Sequence, residues 1–524
     1  MGVDGDIVNF RGIPYATLKD RLAEAQLLDQ YDPPVDARHY GPVSPCPSGA
    51  FQLEMSMMQQ SLPEPHVTPS GLHALNLNIT VPKSNGTLPP AGKLPVFVWI
   101  HGGGFVSGAN SWPQYDMTRL VRFSAESKTP IIGVCINFRL GFLGFLTSDE
   151  LRTFGYKANN QLRDQTVALE WIRKFIAGFG GDGSNITVAG ESAGGVDVGL
   201  HLQSQKPRFE RAIMTGGSSL LMAPTTVEQQ ERVYTRVIEA LALESAAPSD
   251  RIRSLCTLPL AEIMERLPPA TSFVPMIDGE LVPFAATYAM VSDRHSQEIS
   301  GKRWLKGLMV GDCQFDASSM AIFMGHHKMG ISQNFPSHIR RVLTQDQSAI
   351  DELLGAYGLT SDFSDDDVAF RGFMNFINDL AYYAATVAFA RGWPTACHVH
   401  FVNERNPGKG MFQGEATHIM DVILLFQNFN ENLPPAMAKA AVQLAVDVFE
   451  FMNGHSPWPR CTDRKQSAKV YGPSSWDPKV DTPSIKIIDD LLSPDSGRRR
   501  TMIDIGDRIG FDNLAKALAG FLAS

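Results

Sequence analysis

Apolar residues fall into two rhythms along the chain. Short, nearly unbroken runs at 94–100 (LPVFVWI), 130–138 (PIIGVCINF), 186–189 (ITVA), 211–217 (RAIMTGG), 306–312 (KGLMVGD) and 396–404 (ACHVHFVNE) are the signature of strands buried on both faces. Between them the spacing changes to three and four. Val167, Leu169, Ile172 and Ile176 predict a helix over 160–176 that starts near Asp164. Residues 225–264 read as one long helical tract, and 317–395 as mostly helical with Phe323, Phe335, Phe370, Phe373 and Phe376 as anchors. A later amphipathic stretch at 436–452 is followed by VYG and IKIID as late strands and a closing helix over 513–524. The first 82 residues differ. There IVNFRGIPYA and ALNLNITVP alternate apolar and polar positions, which predicts an antiparallel entry to the sheet. The alternation of strand and helix predicts the α/β class: a mostly parallel sheet with helices on both faces. All of 1–524 is expected in a single domain, with 46–70 as an entrance loop carrying Phe51, Met55, Met57 and Met58, and helical insertions at 220–300 and 317–395.

One strand-to-helix junction carries chemistry. Gly190, Glu191, Ser192, Ala193 and Gly194 spell G-x-S-x-G directly after the 186–189 run. A serine on so sharp a turn exposes its hydroxyl, the glycines avoid collision with the neighbouring strand and helix, and the helix that follows aims its amide dipoles at any anion formed there. Taken alone the motif also fits a plain glycine-rich turn. Upstream, the buried run 94–100 ends in His101, Gly102, Gly103, Gly104 and Phe105. A triple glycine in that place presents bare N–H groups, as an oxyanion requires.

A serine hydroxyl needs an imidazole to take its proton and an acid to orient that imidazole. The order serine, acid, histidine, which distinguishes the α/β-hydrolase fold from the trypsin and subtilisin orders, is satisfied by Ser192, Asp316 and His418. Asp312 and Asp316 both follow the run at 306–312, and the sequence leaves the acid open between them. His418 stands on a glycine-preceded loop after a late strand. His326 with His327, and His398 with His400, lack a third ligand at a recognisable spacing, so no metal and no cofactor is expected.

Bulk properties narrow the partners. A net charge of −9 argues against nucleic acid, and 44% hydrophobic residues support a large core in 524 residues. No basic n-region opens the chain and no apolar run reaches bilayer length, so the expectation is a cytoplasmic protein with no stable membrane anchor. The six cysteines are scattered and expected to be mostly reduced, and the sequons at Asn78, Asn85 and Asn185 carry no weight without secretion.

Long stretches, WIHGGGFVSG, NFRLGFLGFL, NNQLRDQTVALEWIRKFIAGFGGD, NITVAGESAGG, PMIDGELVP, MVGDCQFDA and GEATHIMDVILLFQNF among them, resemble the type-B carboxylesterases and cholinesterase-like lipases, nearest the intracellular fungal branch. The resemblance implies an oxyanion hole at Gly103, Gly104 and Ala193 and the histidine at His418. It also marks departures. Asp316 stands where the family has the longer Glu, followed by Ala317 and not Gly, which is expected to displace the triad slightly. Ala74 stands where a disulfide partner of Cys46 often lies, and Gly216 replaces a serine near the acid. The implied activity is a serine esterase acting on a small-molecule ester. Its rivals are an acyl-releasing, cyclising or transferring enzyme with the same residues, and a non-catalytic cholinesterase-like binding protein.

Overall fold

The computed structural model describes residues 2–83, 86–89, 92–269, 271–360, 365–462, 465–492 and 497–523; the Asn85 sequon lies outside them. In chain order the strands are β1 (Gly2–Asp4), β2 (Ile7–Pro14), β3 (Ala16–Thr17), β4 (Gln26–Leu27), β5 (Asn76–Pro82), β6 (Leu94–Ile100), β7 (Ile132–Ile136), β8 (Gly181–Glu191), β9 (Arg211–Thr215), β10 (Gly307–Cys313), β11 (Ala396–Val402), β12 (Ala468–Tyr471) and β13 (Ile485–Ile488). Among the described residues, eleven of them form one sheet in the order β1-β2-β5-β7-β6-β8-β9-β10-β11-β12-β13, and β3 and β4 pair separately. The seven from β7 to β12 run parallel, while β1, β2, β5 and β13 join antiparallel at the edges. This is an α/β-hydrolase architecture.

The unbroken apolar runs are explained by what covers each face. In β6, Val96, Val98 and Ile100 point into one core layer with Leu169 and Ile172 of the helix Asn160–Phe175. Phe97 and Trp99 point the other way, onto the helices Met420–Phe426 and Pro435–Met452. Trp99 is fully buried and meets Phe426 edge-on at 4.9 Å between centroids. A strand sandwiched in this way has no polar face to alternate with.

Several elements depart from the sequence reading. The tract at 225–264 is three helices, Val227–Ala240, Pro248–Thr257 and Leu260–Arg266, because Pro248 opens the second and Pro259 precedes the third. The helix expected over 160–176 is found as Asn160–Phe175, its first turn preceding Asp164. Residues 50–58, expected as loop, form a helix (Ala50–Met58). The helix Gly497–Ile509 was not anticipated. Asn78 is buried and donates to the carbonyl of Asn110 at 2.9 Å, and Asn185 accepts from Arg211 at 2.6 Å, so both side chains serve the fold.

Candidate active site

Ser192 sits between β8 and the helix Ala193–His201 at φ 55°, ψ −125°. For a residue with a side chain this is strained backbone, costing on the order of 1–3 kcal/mol, and it persists because the surroundings dictate it. The Ser192 N–H donates to the Thr215 carbonyl of β9 at 3.1 Å, and its own carbonyl accepts from Val196 at 3.0 Å. Both flanking glycines are obligatory. A Cβ on Gly190 would lie 2.3 Å from the Gly194 carbonyl oxygen, and one on Gly194 only 2.2 Å from that of Ile100.

The glycine turn after β6 packs against this elbow. A Cβ on Gly102 would meet the Glu191 carbonyl at 2.8 Å and the Ser192 Cβ at 3.0 Å. Gly103 and Gly104 adopt φ of 101° and 60°. The Gly103 carbonyl is turned outward, accepting from the N–H groups of Val106 (3.1 Å) and Ser107 (3.0 Å) and from the Ser107 hydroxyl (3.0 Å). Among the described residues no acceptor engages the N–H groups of Gly103, Gly104 or Ala193. The turn is braced by His101, whose ring stacks on Phe138 at 4.4 Å and is kept neutral by burial, which lowers its pKa to about 4.

His418 lies between β11 and the helix Met420–Phe426, its N–H held by the Ser318 hydroxyl at 3.0 Å. Its Nδ1 is 2.7 Å from Asp316 Oδ1, and Asp316 Oδ2 accepts from the Cys313 N–H at 2.7 Å. The shorter acid therefore reaches the imidazole. Asp312 is turned away, toward Arg499 Nη2 at 3.1 Å, with its pKa raised to about 8 by burial and only partly drawn back by that guanidinium. Gly216, at φ 54°, explains the lost serine: a Cβ there would already stand 3.2 Å from both Asp316 Oδ1 and His418 Cε1. Ser192, Asp316 and His418, distant in sequence, thus converge around the Gly216–Gly217 turn.

Sequence reasoning missed three buried acids. Glu191 Oε1 lies 3.0 Å from His418 Nε2; burial lifts the Glu191 carboxyl to about 8 against the pull of the imidazole. For His418, burial lowers the pKa, but the charge of Glu191 and the hydrogen bonds to Asp316 and Glu191 outweigh it and hold the ring well above its ordinary value. Asp421 accepts from the Thr215 hydroxyl and is raised to about 6 by burial and the Asp316 charge. Glu54 accepts from Gln114 at 2.7 Å and Tyr115 at 2.5 Å. Only Glu191 offered a signal, since it occupies the variable position of the serine motif.

The 46–70 segment is packed more firmly than a loop. Phe51, Met55 and Met58 are buried on one side of the helix Ala50–Met58, and Gln59 ties its end to Gly408 (3.2 Å) and Phe412 (2.9 Å). A groove of about 810 Å³ runs between this helix and 409–412, lined by Met55, Met57, Leu62, Ile322 and Phe412. Of the two histidine pairs singled out in the sequence, His400 is 3.3 Å from the Thr215 hydroxyl and His398 is 3.2 Å from that of Ser456, while the rings of His326 and His327 lie 4.0 Å apart.

Comparison with known proteins agrees on one family. The model described as the Carboxylesterase family matches residues 2–453. The chain is 31% identical to the para-nitrobenzyl esterase of Bacillus subtilis over 49% of its own length and 51% of the relative's. It is 30% identical to a probable N-octanoylanthranilate hydrolase of Rhodococcus erythropolis, over 62% and 66%. A secreted triacylglycerol lipase of Gibberella zeae gives 30% over 53% and 51%. The chain thus spans about half to just under two thirds of these relatives' lengths. Among solved structures, a thermophilic PNB esterase superposes with a TM-score of 0.73 at 22% identity, covering 96% of this chain and 97% of that one. A Geobacillus stearothermophilus carboxylesterase gives 0.72 at 22%, over 95% and 96%. At that identity the structures speak for the shared fold.

Proposed function

The chain belongs to the carboxylesterase family, and from that premise we propose that it is a serine esterase that cleaves a carboxylic ester through an acyl-enzyme. Ser192 attacks the ester carbonyl while His418 Nε2 takes its proton. The N–H groups of Gly103, Gly104 and Ala193 receive the oxyanion, and the helix dipole behind Ser192 adds to their field. His418 then protonates the departing alcohol, and water repeats the sequence to release the acid. Asp316 fixes the imidazole with its Nδ1–H directed at the carboxylate and stabilises the imidazolium. No cofactor enters the scheme. The observation that carries this reading is the 2.7 Å contact between Asp316 and His418 beside a strained serine turn.

The groove lined by Met55, Met57, Leu62 and Phe412 supports small or medium apolar esters as substrates. We place the protein in the cytoplasm, as its resemblance to the intracellular fungal branch implies. Among the described residues no helix is long and apolar enough to cross a membrane. The test is Ser192→Ala with a short p-nitrophenyl ester. Hydrolysis and fluorophosphonate labelling should vanish while the circular dichroism spectrum is unchanged; retained hydrolysis overturns the assignment.

A further inference from the structure

Cys397, at the start of β11, faces Cys461, and neither has a part in the elbow's chemistry. They form an isolated antiparallel bridge in which the Cys461 N–H donates to the Cys397 carbonyl at 2.7 Å. Directly opposed residues of this kind send their side chains to the same face, with Cα atoms about 5.5 Å apart. That is also the commonest Cα separation across a disulfide. Both residues are buried, at 0% and 2% exposure, in one apolar cluster. The two thiols are thus close neighbours on one face.

Cys461 has a way in from solvent. It lines a cavity of about 840 Å³ whose wall includes Lys302, Arg303, Arg460 and Thr462. The Lys302 ammonium is spent on the carbonyls of Met290 (3.0 Å), Val291 (2.9 Å) and Asp293 (2.6 Å), and Arg303 on the Gln297 carbonyl (2.7 Å) and Ser300 hydroxyl (3.1 Å). Arg294 and Arg460 stand in the same wall, so four cations line this cavity on a chain of net charge −9. Such a cavity attracts a small anionic molecule.

We propose that Cys397 and Cys461 are a redox pair, closed to a disulfide by a small anionic disulfide of the oxidised-glutathione type that docks in the basic cavity. The Cys461 thiolate attacks one sulfur of the incoming disulfide and expels one thiolate, which takes up the proton Cys461 has lost. Cys397 then gives up its proton, attacks Sγ of Cys461 and expels the second thiolate, which takes that proton. One disulfide is consumed, one is formed, and two thiols leave. Burial pushes the Cys397 thiol far up, so it stays protonated until the mixed disulfide at Cys461 holds a sulfur beside it, and the second step is the slow one. The bond closes a covalent loop from 397 to 461 that contains His418, so the half of the site bearing the imidazole is tethered while Ser192 stays outside the loop.

The experiment treats the whole protein with oxidised glutathione, blocks remaining thiols, and maps peptides without reduction. The expected product joins the peptides of Cys397 and Cys461, is reversed by dithiothreitol, and raises the melting temperature by about 5 °C, in keeping with closure of a long loop. Cys397→Ser should stop at glutathione bound to Cys461, and Cys461→Ser should take up none there. Arg303→Gln or high salt should slow the reaction several-fold. Full alkylation of both thiols after exposure to oxidised glutathione, or a bond that joins other cysteines, overturns the proposal.

Discussion

Oε1 of Glu191 lies 3.0 Å from Nε2 of His418, the ring nitrogen left over once Nδ1 has engaged Asp316. The imidazole is therefore held between two buried carboxylates, and its charged form is stabilised from both sides. In the proposed scheme attack by Ser192 requires the same nitrogen to be deprotonated and turned to the hydroxyl, so Glu191 is proposed to set how readily the base is released.

The pH dependence follows from that. A histidine whose pKa is raised by folding remains protonated to a higher pH, so the acid limb of kcat/KM should lie above the ordinary imidazole range. The stability this pairing contributes is present below the unfolded histidine pKa and is lost as pH rises through the raised one. Glu191→Gln should move the acid limb toward lower pH. An unmoved limb would show that Glu191 does not govern the base.

Asp316 and Asp312 should separate cleanly by substitution. Asp316→Asn leaves the ring in the wrong tautomer, and kcat should fall by roughly 10³–10⁴ with little change in KM. Asp312→Asn should leave hydrolysis within a few-fold while costing about 1–3 kcal/mol in a urea titration, since it faces Arg499 and not the imidazole. The reverse pattern would exchange their roles.

Gly194 tests the elbow sterically. With a Cβ 2.2 Å from the Ile100 carbonyl, Gly194→Ala must push the serine turn away from the glycine turn. A loss of roughly 3 kcal/mol or more in thermal unfolding is expected, together with loss of fluorophosphonate labelling. A variant as stable and reactive as the parent would refute the packing described.

Behind the elbow, burial raises Asp197 to about 7 although it accepts from Gln161 at 2.8 Å and Gln165 at 2.6 Å. A carboxyl whose folded pKa is raised favours the folded state when protonated. Its contribution is fully present below the unfolded value near 3.8 and disappears as pH climbs to about 7. Asp197→Asn keeps both acceptor contacts and should flatten the fall of melting temperature between pH 4 and 7.

The strand runs and the serine turn were legible because buried parallel strands and glycine-forced turns leave marks in local sequence. Pro248 and Pro259 marked breaks that the periodicity of 225–264 concealed. What stayed hidden depends on partners far away. Nothing near Asp316 distinguishes it from Asp312, since the choice is made by Arg499 and His418. Glu191 looks like an ordinary solvated residue until Gly102 and Gly216 are seen to close on its carboxyl. The helix Gly497–Ile509 opens on an arginine run that reads as surface, yet Arg499 is buried.

Arg499 gives the molecule a temporal order. It reaches back across 187 positions to Asp312, and across 120 to Asp379, in the wall behind the acid. At roughly 5–20 residues per second, a ribosome leaves those two carboxylates without their counter-charge for about 10–40 s after Asp312 is made. A nascent chain that already carries the serine turn thus lacks the buried ion pairs in the wall behind Asp316 until synthesis is nearly over.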